Sequence, residues 1–139
     1  MGDLAAGRAR LRAMLAGAPG EMGLAARDLA TGAELMVEAD LLCPTASTMK
    51  IIVLYELLRQ ADAGWLLLSE RVQPTPAEQR VPGSGVLQDL DPGLEPTVRD
   101  LATLMITVSD NQATDMLYGM VGTARIHSAL DALGLERLR

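Results

Sequence analysis

Apolar positions fall into helix-period and strand-period runs that can be assigned in order along the chain. Leu4, Leu11, Met14 and Leu15 lie on one side of the stretch Asp3 to Ala16, with Arg8 and Arg12 elsewhere. That spacing predicts an amphipathic helix, stopped by Gly17 and Pro19. Two short runs follow, Met22 to Leu29 and Ala33 to Ala39, separated by Ala30, Thr31 and Gly32. A glycine-containing connection of that length predicts a hairpin, with Leu24, Leu35 and Val37 on apolar faces and Asp28 and Glu34 beside the turn. From Thr45 to Gln60 the residues Met49, Ile51, Ile52, Val53, Leu54, Leu57 and Leu58 are apolar almost all the way round. This predicts a buried central helix.

A second apolar stretch, Trp65 to Leu68, follows the break at Gly64. Between Val72 and Pro96 the chain carries five prolines and three glycines and reads as loop with short helical turns, Pro82 to Gly85 and Asp91 to Gly93 being turns. Thr97 followed three residues later by Asp100 is a capping arrangement and opens a helix running through Val108. Ser109-Asp110-Asn111 interrupts that helix and caps the next, Gln112 to Val121. Gly122 stops it, and Thr123 to Leu133 forms a last helix closed by Gly134. Helix, hairpin and a run of helices make an α+β chain.

At 139 residues the chain is one domain's worth, and its net charge of −6 changes the picture of its partners. Nucleic-acid affinity rests on Lys and Arg neutralising phosphates, so an acidic chain argues against that partner and against a polybasic membrane patch. One cysteine, Cys43, excludes an intrachain disulfide, and one histidine, His127, excludes most zinc constellations. Cys43 reads as a buried thiol, and His127, on the last predicted helix, as structural or exposed. The N-terminal segment intersperses Arg8, Arg10 and Arg12 with apolar residues, unlike a signal peptide. No apolar run is long enough to cross a bilayer.

The basic residues are the most informative part of the composition. Eleven of the twelve are arginine and one, Lys50, is lysine. A single lysine among arginines is a candidate for a task arginine cannot perform, giving up a proton near neutral pH. Ser47-Thr48-Met49-Lys50 places a hydroxyl and that amine three residues apart on the predicted helix, on one face. A serine is a weak nucleophile until a base takes its proton, and a neutral lysine is such a base. Burial among Ile51, Ile52 and Leu54 would disfavour the charged amine. Near the helix start the Ser47 N–H has no intrahelical acceptor and is available to an oxyanion.

Ser109-Asp110-Asn111, alone, reads as an ordinary helix cap. Behind Ser-x-x-Lys it becomes a second motif in a recognised order. The pair, with PTASTMK, VPGSGVLQDLDPG and TVRDLATLMITVSDNQATDML around it, resembles the class A β-lactamases and the related serine hydrolases and penicillin-binding proteins, the family in which this motif set occurs. The resemblance implies a β-lactamase/transpeptidase-like fold, with residues 1–40 as helix plus hairpin and 41–139 as most of a helical subdomain. It implies that Ser47 is the acylated nucleophile, Lys50 its proton acceptor or relay, and Ser109 the donor to the leaving nitrogen. Asn111 would hold the substrate's side-chain amide and the Lys50 region, while Asp110 fixes the loop. No metal and no cofactor is implied. The substrate is a small β-lactam or a related amide or ester.

The family's third motif, Lys-Thr-Gly on a strand, has no counterpart in the chain, and its loop acid would fall just after Leu138-Arg139. The reading is therefore of the N-terminal part of a single domain, lacking the C-terminal strands. Three alternatives stay open. One is a β-lactam hydrolase, another a D-alanyl-D-alanine peptidase or esterase with the same serine and lysine, and the third a non-catalytic interaction module. An unpaired hairpin edge predicts that the isolated chain self-associates or needs a complementing C-terminal segment. Size-exclusion chromatography checks this, and a sharp monomer peak with one cooperative melt would contradict it.

Overall fold

A computed structural model describes residues 4–73, 75–76, 79–135 and 137–138. The chain forms two compact units, residues 1–44 and 45–139. The first holds helix α1 (Leu4–Ala16) and strands β1 (Leu24–Arg27) and β2 (Glu34–Val37). The expected start of α1 at Asp3 and the side chain of Leu4 lie outside the described residues. On α1, Leu11 and Leu15 are half-buried, as an i, i+4 pair on one face can be, but Met14 is exposed rather than on the packed side.

The strands pair antiparallel, Leu24 opposite Val37 and Arg27 opposite Glu34, and this last pair adds a 3.8 Å ion pair. Asp28 builds the turn. Its carboxylate accepts from the N–H groups of Ala30 and Thr31 at 2.8 and 3.3 Å, and Gly32 closes the hairpin at φ +71°. Those donors hold the Asp28 carboxyl below its ordinary value, the Ala30 N–H contributing most.

The second unit is helical: a 3₁₀ turn at Ala46–Met49, α2 (Lys50–Asp62), a 3₁₀ turn at Leu87–Asp89, α3 (Val98–Thr107), α4 (Asn111–Val121) and α5 (Thr123–Ala132). Its core is made where α2, α3 and α4 meet, with Val53, Leu57, Leu101, Met105 and Leu117 fully buried. The Thr97–Asp100 capping box opens α3 as the sequence predicts. The Asp100 carboxylate accepts from the Thr97 hydroxyl and N–H, which lowers its pKa in that order of importance. Gly122, at φ +87°, ends α4 and starts α5. The proline-rich segment is pinned at its ends, Val72 donating to the Pro96 carbonyl and Val98 to that of Glu70. No helix among the described residues is long and apolar enough to cross a membrane.

Besides Met14, three further expectations need correction. The helix expected from Thr45 begins as a 3₁₀ turn, because Ala46 takes a left-handed φ of +44° and Thr48 bonds back to Thr45. Nor is α2 buried all round: Ile51, at 66% exposure, Tyr55 and Leu58 face outward, while Lys50, Glu56 and Gln60 point inward. Those polar groups can occupy the buried stripe because each has partners there. Glu56 is fully buried, accepts from Arg59 at 2.6 Å and from Gln60 at 3.0 Å, and Gln60 in turn donates to the Val121 carbonyl at 3.0 Å. Cys43, expected to be buried, is exposed, since it lies in an irregular segment between β2 and the 3₁₀ turn.

The Arg59 hydrogen bonds lower the Glu56 pKa against the opposing effect of burial. A carboxylate whose folded pKa is depressed stabilises the fold above its unfolded value and loses that contribution as pH falls through the folded one. Stability is therefore expected to fall on acidification below about pH 4.3, the ordinary glutamate range. Glu56→Gln should flatten this acid limb in urea titrations taken at successive pH values. An acid limb identical in parent and variant would contradict the assignment.

Candidate active site

The junction between α3 and α4 is built to hold a strained residue. Val108 closes α3, Ser109 follows in the left-handed region at φ +56°, and Asp110 caps α4. A left-handed residue other than glycine costs energy and persists only where its surroundings fix it. Asp110 does most of the fixing. It is 1% exposed; one carboxylate oxygen accepts from the N–H groups of Val86 and Leu87 at 2.7 and 2.8 Å, and the other from Ala113 at 2.9 Å. Its own N–H reaches the Leu104 carbonyl, and its carbonyl accepts from the Thr114 hydroxyl.

The loop from Val81 to Leu87 wraps tightly around this junction. At Gly85, φ +124°, an added Cβ would collide with the Asp110 carboxylate. At Gly83, φ +119°, it would collide with the Asn111 amide. Asn111 is tied to the same loop, its N–H donating to the Ser84 carbonyl at 2.8 Å and its Nδ2 to the Pro82 carbonyl at 3.2 Å. Gln112, a residue the sequence does not single out, adds another tie. Its Oε1 accepts from the Val81 N–H at 2.7 Å and its Nε2 donates to the Thr75 hydroxyl at 2.8 Å. No spacing rule marks a glutamine there, since the partners lie on a loop distant in sequence.

On this platform Ser47, Lys50, Ser109 and Asn111 come together. The Ser47 and Ser109 hydroxyl oxygens are 2.9 Å apart. The Lys50 Nζ, on a side chain 5% exposed, donates to the Ser109 carbonyl at 2.7 Å, the Ser109 Oγ at 2.8 Å and the Asn111 Oδ1 at 3.1 Å. Two details differ from the sequence reading. Lys50 is surrounded at its tip by oxygen acceptors rather than by Ile51, and the hydrogen bonds of Ser47 and Lys50 meet at Ser109. The hydroxyl of Ser109 thus joins Ser47 to Lys50 in one line of hydrogen-bond contacts.

Ser47 sits in the first turn of the 3₁₀ segment, where N–H groups lack intrahelical acceptors, so its N–H is free to meet an oxyanion. An open cleft of about 490 Å³ lies over these groups, with Ser47, Lys50 and Asn111 in its lining. His127 is exposed on α5 and does not line that cleft. Among the described residues no group of three His, Cys, Asp or Glu side chains could hold a metal ion.

A two-stranded antiparallel hairpin followed by this helical unit is the β-lactamase/transpeptidase-like fold, seen over about half of its length. The chain belongs to the β-lactamase enzyme family, whose model it matches over residues 7–139. It is 34% identical, with a TM-score of 0.85, to a β-lactamase from Sphaerobacter thermophilus DSM 20745, over 93% of this chain and 48% of that one. The structure of PBP-A is similar at 32% identity and a TM-score of 0.86, over 94% of this chain and 49% of that one. β-Lactamase L2 of Stenotrophomonas maltophilia is 32% identical over 119 residues, which span 82% of this chain and 39% of L2. The chain thus spans half or less of the length of these relatives.

The platform should fail if Asp110 is removed. Asp110→Ala leaves three backbone donors without their acceptor, at a cost of about 3 kcal/mol or more. Asp110→Asn, which keeps one acceptor oxygen, should lose less. Urea unfolding at neutral pH measures both, and a loss below about 1 kcal/mol for the alanine variant would contradict this role.

Proposed function

We propose that this chain carries the acylation machinery of a serine β-lactam hydrolase. The observation behind the proposal is the unbroken line of hydrogen-bond contacts from Ser47 through Ser109 to Lys50. In this reading Ser47 Oγ attacks the carbonyl carbon of the lactam amide, and its proton passes through Ser109 to Lys50 in the neutral amine form. The oxyanion that forms accepts from the Ser47 N–H. Ser109 then delivers a proton to the lactam nitrogen as the C–N bond breaks, leaving an ester on Ser47. Water later hydrolyses that ester.

Asn111 can take part in binding without giving up its structural contacts. Its Oδ1 accepts one bond from Lys50 and its Nδ2 donates one to Pro82, so a second lone pair and a second hydrogen remain for a substrate side-chain amide. Residues 1–139 are, on this proposal, the N-terminal part of a single domain whose remaining segment supplies the second oxyanion donor and the base for water.

The same serine and lysine would serve a D-alanyl-D-alanine peptidase or an esterase, since the acylation step is shared and only the bond broken differs. The similarity to PBP-A keeps that second reading in play. Turnover of a chromogenic cephalosporin compared with release of D-alanine from a D-alanyl-D-alanine peptide separates the two.

Lys50→Arg tests the proposed base while keeping the charge, because arginine stays protonated at every accessible pH. In the protein expressed from its full natural reading frame, labelling of Ser47 by a fluorescent penicillin should fall at least about a hundredfold. Labelling at the parent rate would refute the role given to Lys50.

A further inference from the structure

Three consecutive residues at the start of α4 hold one loop at three points. Asp110 accepts from the N–H groups of Val86 and Leu87, Asn111 donates from its own N–H to the Ser84 carbonyl, and Gln112 accepts from the Val81 N–H at 2.7 Å. Gln112 is 3% exposed, and the other end of its amide is taken by the Thr75 hydroxyl at 2.8 Å. Methionine or leucine would fill that volume without taking an amide out of water. A buried glutamine there calls for a reason that packing does not supply.

The reason lies one residue beyond Val81. Pro82 has no N–H with which to anchor itself, so the Val81 N–H is the nearest backbone donor on that side of it. The Arg80 guanidinium bonds to the Thr75 and Gln88 carbonyls, but it holds the far end of a long side chain rather than the peptide. The Pro82 carbonyl in turn accepts from Asn111 Nδ2 at 3.2 Å, with Asn111 Oδ1 then facing Lys50 Nζ at 3.1 Å. The two ends of an asparagine amide are nearly equal in size and opposite in hydrogen-bond sense. Turned over, this amide would set its donor against Lys50 and its acceptor against the Pro82 carbonyl.

We propose that Gln112 is a positioning residue of the site: by holding the Val81 N–H it places the Pro82 carbonyl, which orients the Asn111 amide with its oxygen toward Lys50. Every contact in this relay lies within the second unit. The kinetic consequence rests on the reading of Ser47 and Lys50 as the acylation pair. The orientation of Asn111 does not.

The test uses the protein expressed from its full natural reading frame and labelled with ¹⁵N-asparagine. Asn111 is the single asparagine of this chain, and Asn111→Asp assigns its side-chain amide signals. Gln112→Met keeps the volume and removes both hydrogen bonds. Thr75→Val is milder, removing only the acceptor that keeps Nε2 turned away from Val81, and it carries the test if the methionine variant does not fold. Gln60→Met is the control, because Gln60 is also buried in the second unit but bonds to Glu56 and Val121 instead of the loop. Ser47 acylation by benzylpenicillin is followed by intact mass on the same proteins.

In Gln112→Met the Asn111 amide signals are expected to shift and to exchange with water about tenfold faster, and acylation to fall about tenfold or more, since small misplacements at a reacting centre cost up to about a hundredfold. Thr75→Val should move the same signals in the same direction. Gln60→Met should leave the signals in place and acylation at the parent rate. Asn111 signals that stay in place in both Gln112→Met and Thr75→Val overturn the proposal. So do signals moved as far by Gln60→Met, or acylation at the parent rate in a Gln112 variant whose signals have moved. If the parent is not acylated at all but the signals still respond to Gln112, the positioning holds and the hydrolase reading fails.

Discussion

Everything at this site depends on burying the amino group of Lys50. An amino group taken out of water needs hydrogen-bond partners for its polar atoms, and one left without them is costly to keep. Here the acceptors are the carbonyl and hydroxyl of Ser109 and the amide oxygen of Asn111. Two of the three come from one residue, Ser109, whose backbone is left-handed. The left-handed Ser109 and the buried Lys50 amino group therefore belong to one network, and for the proposed proton transfer the amine is neutral and accepts from the Ser109 hydroxyl.

Asp110 and the glycine-containing loop extend that constraint outward. The carboxylate gathers N–H groups from Val86, Leu87 and Ala113, so the loop and the start of α4 are fixed to the same two oxygens. Gly83 and Gly85 are needed for a spatial reason, because a methyl group at either would occupy the place of Asn111 or Asp110. Gln112 and Asn111 bond to backbone groups on the same loop. Ser47, on a separate 3₁₀ turn, needs only the 2.9 Å contact with Ser109 to join the assembly.

Much of this was legible in the sequence because local rules were obeyed. The Thr97–Asp100 box, the Gly122 and Gly134 stops and the Asp28 turn each carry their own signal, independent of what packs on them. What escaped is what distant partners decide. The helical wheel of α2 predicts apolar residues inside, yet Gln60 takes an inward position where the distant Val121 carbonyl meets it, and Glu56 lies inward beside Gln60 and Arg59 of its own helix. Ile51 is left outside by the same choice. The spacing of Ser47 and Lys50 suggests a direct pair. The intervening Ser109 hydroxyl becomes visible only once α2 and the junction of α3 with α4 are set side by side.

The central claim is that the proton of Ser47 travels through Ser109. Ser109→Ala removes that hydroxyl while leaving the backbone carbonyl that accepts from Lys50, and its effect is best read as the second-order rate of Ser47 acylation by benzylpenicillin, followed by intact mass. The predicted result is a fall of about 10²–10⁴-fold, the usual worth of positioned proton transfer. Acylation of the alanine variant at the parent rate would contradict the account.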